Sequence, residues 1–236
     1  MNGRMRRPGR WSANSLLSTL SSATIAELLT LGAELEFEPG RVMLRENEQT
    51  THVYVLLEGC AKVTATTPEG GFALLSIRAG GELVGELASL DGEPRSATVT
   101  AVNRVRARVL SQATFQNFLA HHPDAAVAIS RSVGAKLRWA TRRRIDFSGG
   151  RVQVRVARVL IELAPTYGWP TKEGIEIPLS QPELAAAVGA KEPSVHKVLT
   201  AFRRNRLVST GYGRITLLNI PKLREVAGTA NDPYAR

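Results

Sequence analysis

The hydrophobic positions of this chain change their period twice. A short helical stretch comes first, about Ser21 to Leu31, with Leu28, Leu29 and Leu31 on one side. From Glu36 the pattern turns to brief alternating or β-branched runs. Val42–Met43–Leu44, Val53 to Leu57, Lys62–Val63–Thr64, Phe72 to Ile77, Ala97 to Val102 and Val105 to Leu110 each predict a strand. Pro39–Gly40, Gly59, Pro68 to Gly71 and Gly80–Gly81 supply the breaks between them. No helix of crossover length interrupts this series, so it predicts an all-β barrel or roll rather than a parallel α/β sheet.

The second change comes at Pro123–Asp124, where a helical pattern begins and runs for over twenty residues. Ala126, Ile129, Val133, Leu137 and Ala140 form one narrow stripe, the width of a two-stranded seam rather than a broad core face. The stripe predicts a dimerisation helix over 124–146. Ser148–Gly149–Gly150 then predicts a hinge, and Val152 to Leu163 a second amphipathic helix closed by Pro165.

The segment after Ser180 is the most specific in the chain. Ser180 and Glu183 make a capping box, and Pro182 sits in the first turn, where its missing N–H costs nothing. Leu184, Ala185, Val188, Gly189, Val195 and Val198 then fall where a helix-turn-helix needs its apolar wedge, its small crossing residue and its positive-φ turn. The second helix, about Glu192 to Asn205, exposes Lys191, Glu192, Ser194, His196 and Lys197 early and Arg203 and Arg204 late, with Ser180 and Gln181 at the entrance of the first. Early positions of such a helix reach base edges, and Lys and Arg neutralise phosphates. Leu207–Val208, a Thr210 to Gly213 turn and Arg214 to Leu218 predict a winged hairpin.

Charge supports that reading. The 236 residues carry a formal net charge of +10, yet residues 1–123 hold 12 basic and 12 acidic side chains, against 19 and 9 in residues 124–236. A neutral module joined to a basic one predicts a polyanionic partner for the second. The 43% hydrophobic and 22% charged fractions are those of an ordinary globular chain. The single cysteine, Cys60, excludes a disulfide framework and a four-cysteine cluster site, and no metal-ligand spacing joins His52, His121, His122 and His196. No apolar run reaches the roughly 18 residues of a membrane span, and no secretory signal is present, so a cytoplasmic protein without membrane contact is expected. The phosphate loop, nucleophile elbow and metalloprotease helix motifs are absent, so catalysis is not expected.

The β module carries GELASLDGEPRSATVTA from Gly85 to Ala101. Gly85 lets backbone come close to a ligand, and Glu86 to Leu90 predicts a short helix with free N–H groups facing an anion. Arg95 offers paired N–H bonds to a phosphate, and Ser96 adds a hydroxyl donor. Glu86 is expected to accept from a sugar hydroxyl and to pair with Arg95. One carboxylate and one guanidinium across a short loop suit a single phosphate beside a ribose.

In order, the β roll, this cassette, the long helix and the winged helix-turn-helix resemble the Crp–Fnr superfamily of bacterial transcription regulators, nearest its cyclic AMP receptor branch, over residues 15–227. The resemblance implies an α+β chain with a double-stranded β-helix or jelly-roll-like cyclic-nucleotide-binding domain at 15–123. A dimerisation helix and hinge at 124–147 and a winged helix-turn-helix domain at 148–227 follow, between a disordered basic tail at 1–14 and a flexible tail at 228–236. It places the effector, cyclic AMP or cyclic GMP, against Val84, Gly85, Glu86, Leu87, Arg95, Ser96 and Ala97. The family's polar purine-facing pair falls on Ala140 and Thr141, and Ala140 has lost its hydroxyl, which leaves the purine open. It implies a homodimer on double-stranded DNA, working with RNA polymerase, and no cofactor. The family's usual Ser-Arg-Glu-Thr-Val is here Lys191-Glu192-Pro193-Ser194-Val195, so its usual operator does not carry over. A regulator that answers cyclic di-GMP, or binds DNA without a ligand, stays open.

Overall fold

The computed structural model describes residues 11–12, 15–67, 70–147 and 150–228. Contacts divide the chain into two units, one of residues 1–65 and 76–136 and the other of 66–75 and 137–236. The expected basic tail at 1–10, the turn at Pro68–Glu69, the hinge pair Ser148–Gly149 and the tail from 229 lie outside the described residues. Trp11 does not follow the expectation of a disordered tail to residue 14. Its indole N–H donates to the Leu57 carbonyl at 3.1 Å, and its ring packs on the core.

In the first unit, helix α1 (Ser22–Leu28) is capped by the Ser21 hydroxyl. The strands are β1 (Ala33–Phe37), β2 (Val42–Leu44), β3 (Val53–Glu58), β4 (Cys60–Thr66), β5 (Phe72–Ala79), β6 (Leu83–Val84), β7 (Thr98–Ala101) and β8 (Val105–Leu110), with α2 (Glu86–Asp91) between β6 and β7. They form two four-stranded sheets, ordered β1-β8-β3-β6 and β2-β7-β4-β5, the roll that the strand series predicts. Strand β3 explains why its run is continuously apolar. Val53 and Val55 enter a core shared with helices, while Tyr54 and Leu56 enter a second core between the sheets, so both faces are covered. On edge strand β1, Glu34 and Glu36 meet Arg106 and Arg104 of the β8 side, a charged surface that discourages further strand pairing.

Helix α3 (Gln112–His121) has no counterpart among the expected elements. Its Phe115 and Phe118 are buried. Helix α4 (Pro123–Phe147) divides the stripe between two surfaces. Ala125, Ala128 and Ile129 join the first core and Val133 packs against it, so the start of the stripe closes the chain's own roll. A helix that leaves a sheet must first cover it, and only beyond that contact can its apolar residues serve another surface. Among the described side chains of this helix, Val127, Leu137 and Ile145 are the exposed large apolar ones.

In the second unit, α5 (Val152–Tyr167) runs on through Pro165 rather than stopping there. The proline lies in the last turn, where its missing N–H costs a single bond. Strands β9 (Trp169–Pro170) and β10 (Ile175–Ile177), too short to show a period, join the wing strands β11 (Val208–Gly211) and β12 (Arg214–Leu217) in one antiparallel sheet. Helices α6 (Gln181–Val188) and α7 (Glu192–Arg204) form the expected hairpin, and α8 (Ile220–Ala227) packs on α5. Gly189 turns between α6 and α7 at φ 58°. Leu184, Ala185, Val188 and Val195 are buried as expected, but Val198 is only half-buried. Leu199 and Phe202, one residue and one turn further on, close the wedge instead.

Both halves of the capping box are present: Ser180 N–H donates to Glu183 Oε2 at 2.8 Å, and Glu183 N–H donates to Ser180 Oγ at 3.4 Å. Replacing Ser180 by Ala is expected to cost about 1 kcal/mol of stability. Urea unfolding followed by far-ultraviolet circular dichroism checks this as a lower midpoint at an unchanged slope.

Candidate functional site

The cassette is built by the chain reversal between β6 and α2. Gly85 there has φ 84°, a conformation that glycine adopts without strain. The position has no room for a side chain either. A Cβ would lie 2.7 Å from Arg95 Nη1 and 3.0 Å from the His52 carbonyl oxygen. Val84 and Ala97 are buried, and Leu87 and Ser96 are exposed on the rim.

Arg95 is 2% exposed, and the protein itself takes up all three nitrogens of its guanidinium. Nη1 donates to Gly85 O at 2.8 Å, Nη2 to His52 O at 2.6 Å and Nε to Thr50 Oγ1 at 3.0 Å. The backbone is held as well, with Arg95 N–H on Glu48 O and Asn47 N–H on Arg95 O. Burial lowers the Arg95 pKa, opposed by Tyr54, Glu48 and Glu86. A guanidinium stays charged throughout the range of protein chemistry, so the interior must carry this charge. Burial also raises the Tyr54 hydroxyl, and it lowers His52 with help from the repulsion of Arg95. The His52 ring sits edge-on to Tyr54, and its Nε2 is buried without a hydrogen-bond partner.

Glu86 corrects the expected pairing. Its carboxylate, 5% exposed, is bound by the Lys136 ammonium of α4 at 2.5 Å and not by Arg95. The reason is geometric, since the acceptors around Arg95 are already carbonyls and a hydroxyl. Burial lowers the Lys136 pKa, and the neighbouring Glu86 opposes that shift. Sequence reasoning missed Lys136, Thr50 and His52. Lys136 stands 50 positions from Glu86 on a helix whose apolar stripe drew attention, and the other two contribute to a pocket that only tertiary structure assembles. Ala140 and Thr141 belong to the second unit, where both are exposed and the Thr141 hydroxyl donates to Leu137 O at 2.9 Å.

The other candidate surface is the outer face of α7. Val195, Leu199 and Phe202 point inward, which leaves Lys191, Glu192, Ser194, His196, Lys197 and Arg203 exposed together. Gln181 lies beside them, its Oε1 3.2 Å from His196 Nδ1, whereas the Ser180 hydroxyl is occupied by the capping box. Arg203 donates to Thr200 at 3.0 Å and to Thr210 of the wing at 3.3 Å. Tyr212 stands fully exposed at the tip of the wing, another residue the sequence reading did not single out.

With this geometry in place, the comparisons are specific. Residues 34–122 match the cyclic nucleotide-binding domain model, and 154–226 match the Crp-like helix-turn-helix domain model. A CRP-like cAMP-activated global transcriptional regulator of Mycobacterium tuberculosis is 29% identical over 184 residues, 76% of this chain and 81% of that protein. The transcriptional regulator SdrP of Thermus thermophilus is 30% identical over 175 residues, 74% of this chain and 83% of its own. A crystal structure of a CRP/FNR-family transcriptional regulator, also from Thermus thermophilus, superposes with a TM-score of 0.70 at 27% identity, covering 84% of this chain and 100% of that one.

Two outcomes follow from the charges. Lys136→Met is expected to destabilise the roll by about 3 kcal/mol, because it strands a buried carboxylate, and Glu86→Gln in the same chain is expected to recover most of that loss. Chemical denaturation of the single and double variants checks the coupling. His52 has a folded pKa below its unfolded value of 6.5, so the unfolded state binds more protons as pH falls through that value. Stability is therefore expected to drop below about pH 6.5, and His52→Gln to flatten that part of the profile, read from thermal midpoints between pH 5 and 8.

Proposed function

The chain belongs to the CRP/FNR family of transcriptional regulators, and from that premise we propose that it is a homodimer whose roll takes a cyclic mononucleotide and whose winged units then grip operator DNA. The observation that carries the effector half is the buried Arg95 and Glu86 on either side of a left-handed Gly85. A cyclic nucleotide presents a monoanionic phosphate beside a ribose hydroxyl. The phosphate takes over guanidinium donors now given to the Gly85 and His52 carbonyls, and the ribose hydroxyl donates to Glu86 in place of Lys136. Binding on this reading is an exchange of partners rather than the filling of a void. Because Lys136 belongs to α4, the exchange alters what holds that helix to its roll.

The name of the M. tuberculosis relative supports cyclic AMP, while Ala140, which brings no hydroxyl, keeps cyclic GMP as the second candidate. Val127, Leu137 and Ile145, apolar and exposed along one helix, support pairing of two copies over 124–146. In the dimer the two α7 helices reach successive major grooves, about 34 Å apart. Lys191 and Lys197 contact phosphates, and Ser194 and His196 face base edges. RNA polymerase is the further partner of the DNA-bound regulator, and the cytoplasm is where the chain would meet both. No catalytic step is proposed.

One observation favours a second reading. Each nitrogen of the Arg95 guanidinium already donates once within the protein and Glu86 has its counter-ion there, an arrangement that suits a regulator that binds DNA unaided.

Titration calorimetry with cyclic AMP, cyclic GMP and cyclic di-GMP, paired with DNA-binding anisotropy, separates the two. The expected result is one cyclic mononucleotide bound per subunit, at least tenfold weaker binding in Arg95→Ala, and tighter DNA binding in the presence of ligand. Linkage requires DNA to tighten the ligand by the same factor. Equal DNA affinity with and without every nucleotide establishes the second reading instead.

A further inference from the structure

We infer that His196 is a base-reading residue of the recognition helix, that its unprotonated Nε2 accepts from the exocyclic amino group of an adenine or cytosine, and that Gln181 is the residue that positions it. The inference rests on the DNA-binding reading above and adds to it the chemical class of base that one position of the operator must carry.

The recognition helix starts without a side-chain donor in its first two residues. Its first residue is the acidic Glu192 and its second is Pro193, which has neither a side-chain donor nor a backbone N–H. Beyond Glu192, whose carboxylate is repelled by the phosphates that line the groove, base contact from this end comes from the next exposed positions, Ser194, His196 and Lys197. A serine hydroxyl both donates and accepts, and a lysine ammonium only donates, so neither fixes the polarity of a contact that needs an acceptor. His196 does. Its Nδ1 faces Gln181 Oε1 at 3.2 Å, and an amide oxygen can only accept, so this contact is a hydrogen bond when the neutral ring carries its proton on Nδ1. The other nitrogen, Nε2, is then a lone-pair acceptor on an exposed side chain.

The major groove offers few partners for an acceptor. The adenine N6 and cytosine N4 amino groups are the donors there, while guanine N7 and O6 and thymine O4 are acceptors that would oppose a bare nitrogen. The contact therefore selects an amino-bearing base on the strand it meets. Gln181 comes from the first residue of α6, so the reader is set by the neighbouring helix of the hairpin and not by its own helix alone.

The test uses the full-length protein, with the effector found by calorimetry if one binds, and a randomised duplex library. Wild type is expected to enrich an operator with adenine or cytosine at one position per half-site. Deleting that amino group, with purine in place of adenine or 2-pyrimidinone in place of cytosine, should weaken wild type about tenfold and leave His196→Ala unchanged. Gln181→Ala should lose most of that tenfold penalty and bind the unmodified operator nearly tenfold more weakly than wild type, as expected if it acts through the same contact. Nitrogen-15 spectra of the imidazole should show the proton on Nδ1 in wild type and shifted toward Nε2 in Gln181→Ala. If His196→Ala enriches the same operator and keeps the same amino-group penalty at every position, the inference is overturned and the DNA-binding reading stands. A wild type that enriches no sequence overturns both.

Discussion

A guanidinium has no neutral form to retreat to, so a fold that buries one must surround it with acceptors. That demand organises the roll around Arg95. The Thr50 hydroxyl and the Gly85 and His52 carbonyls take its donors, and the Glu48 and Asn47 backbone pins its own. Position 85 takes glycine for two reasons, a left-handed φ and a guanidinium that occupies the space where a side chain would go. Burying an arginine without these partners would cost several kcal/mol. The loop from Arg45 to His52 and the reversal before α2 are thus fixed by one charge, although neither belongs to a regular element.

Glu86 shows the same economy with a different solution. Its counter-ion comes from α4 and not from the loop beside it. One helix therefore serves two purposes in succession: Ala125, Ala128 and Ile129 complete the roll's core, Lys136 balances its buried carboxylate, and Leu137 and Ile145 further along are exposed. A change in what Glu86 binds is felt first by a helix already committed to the core at its other end.

The sequence made much of this legible. The strand runs of the roll are visible because β-branched and aromatic residues cluster between Gly and Pro breaks, and Val105 to Leu110 matches β8 residue for residue. The hairpin of α6 and α7 is legible for a stricter reason, since a capping box, a small crossing residue and a left-handed glycine each occupy a position that tolerates little else. The misses share a cause. Strands β9 and β10 are too short to show a period, Val198 yields to Leu199 and Phe202 because the wedge continues one turn further, and the stripe of α4 looks like a seam although half of it faces its own sheet. A one-dimensional pattern records that a face is apolar but not which surface covers it. The cassette is legible as a place and not as a pairing, because an ion pair across 50 positions leaves no local mark.

Each helix of the hairpin, and α8 behind it, begins with a proline in its first turn: Pro182, Pro193 and Pro221. Such residues pre-set the backbone and narrow the freedom of the unfolded chain. A reading head built this way arrives already stiff and spends little order on docking. Right and wrong sites are then met at similar speed, and discrimination is expressed in how long each complex survives.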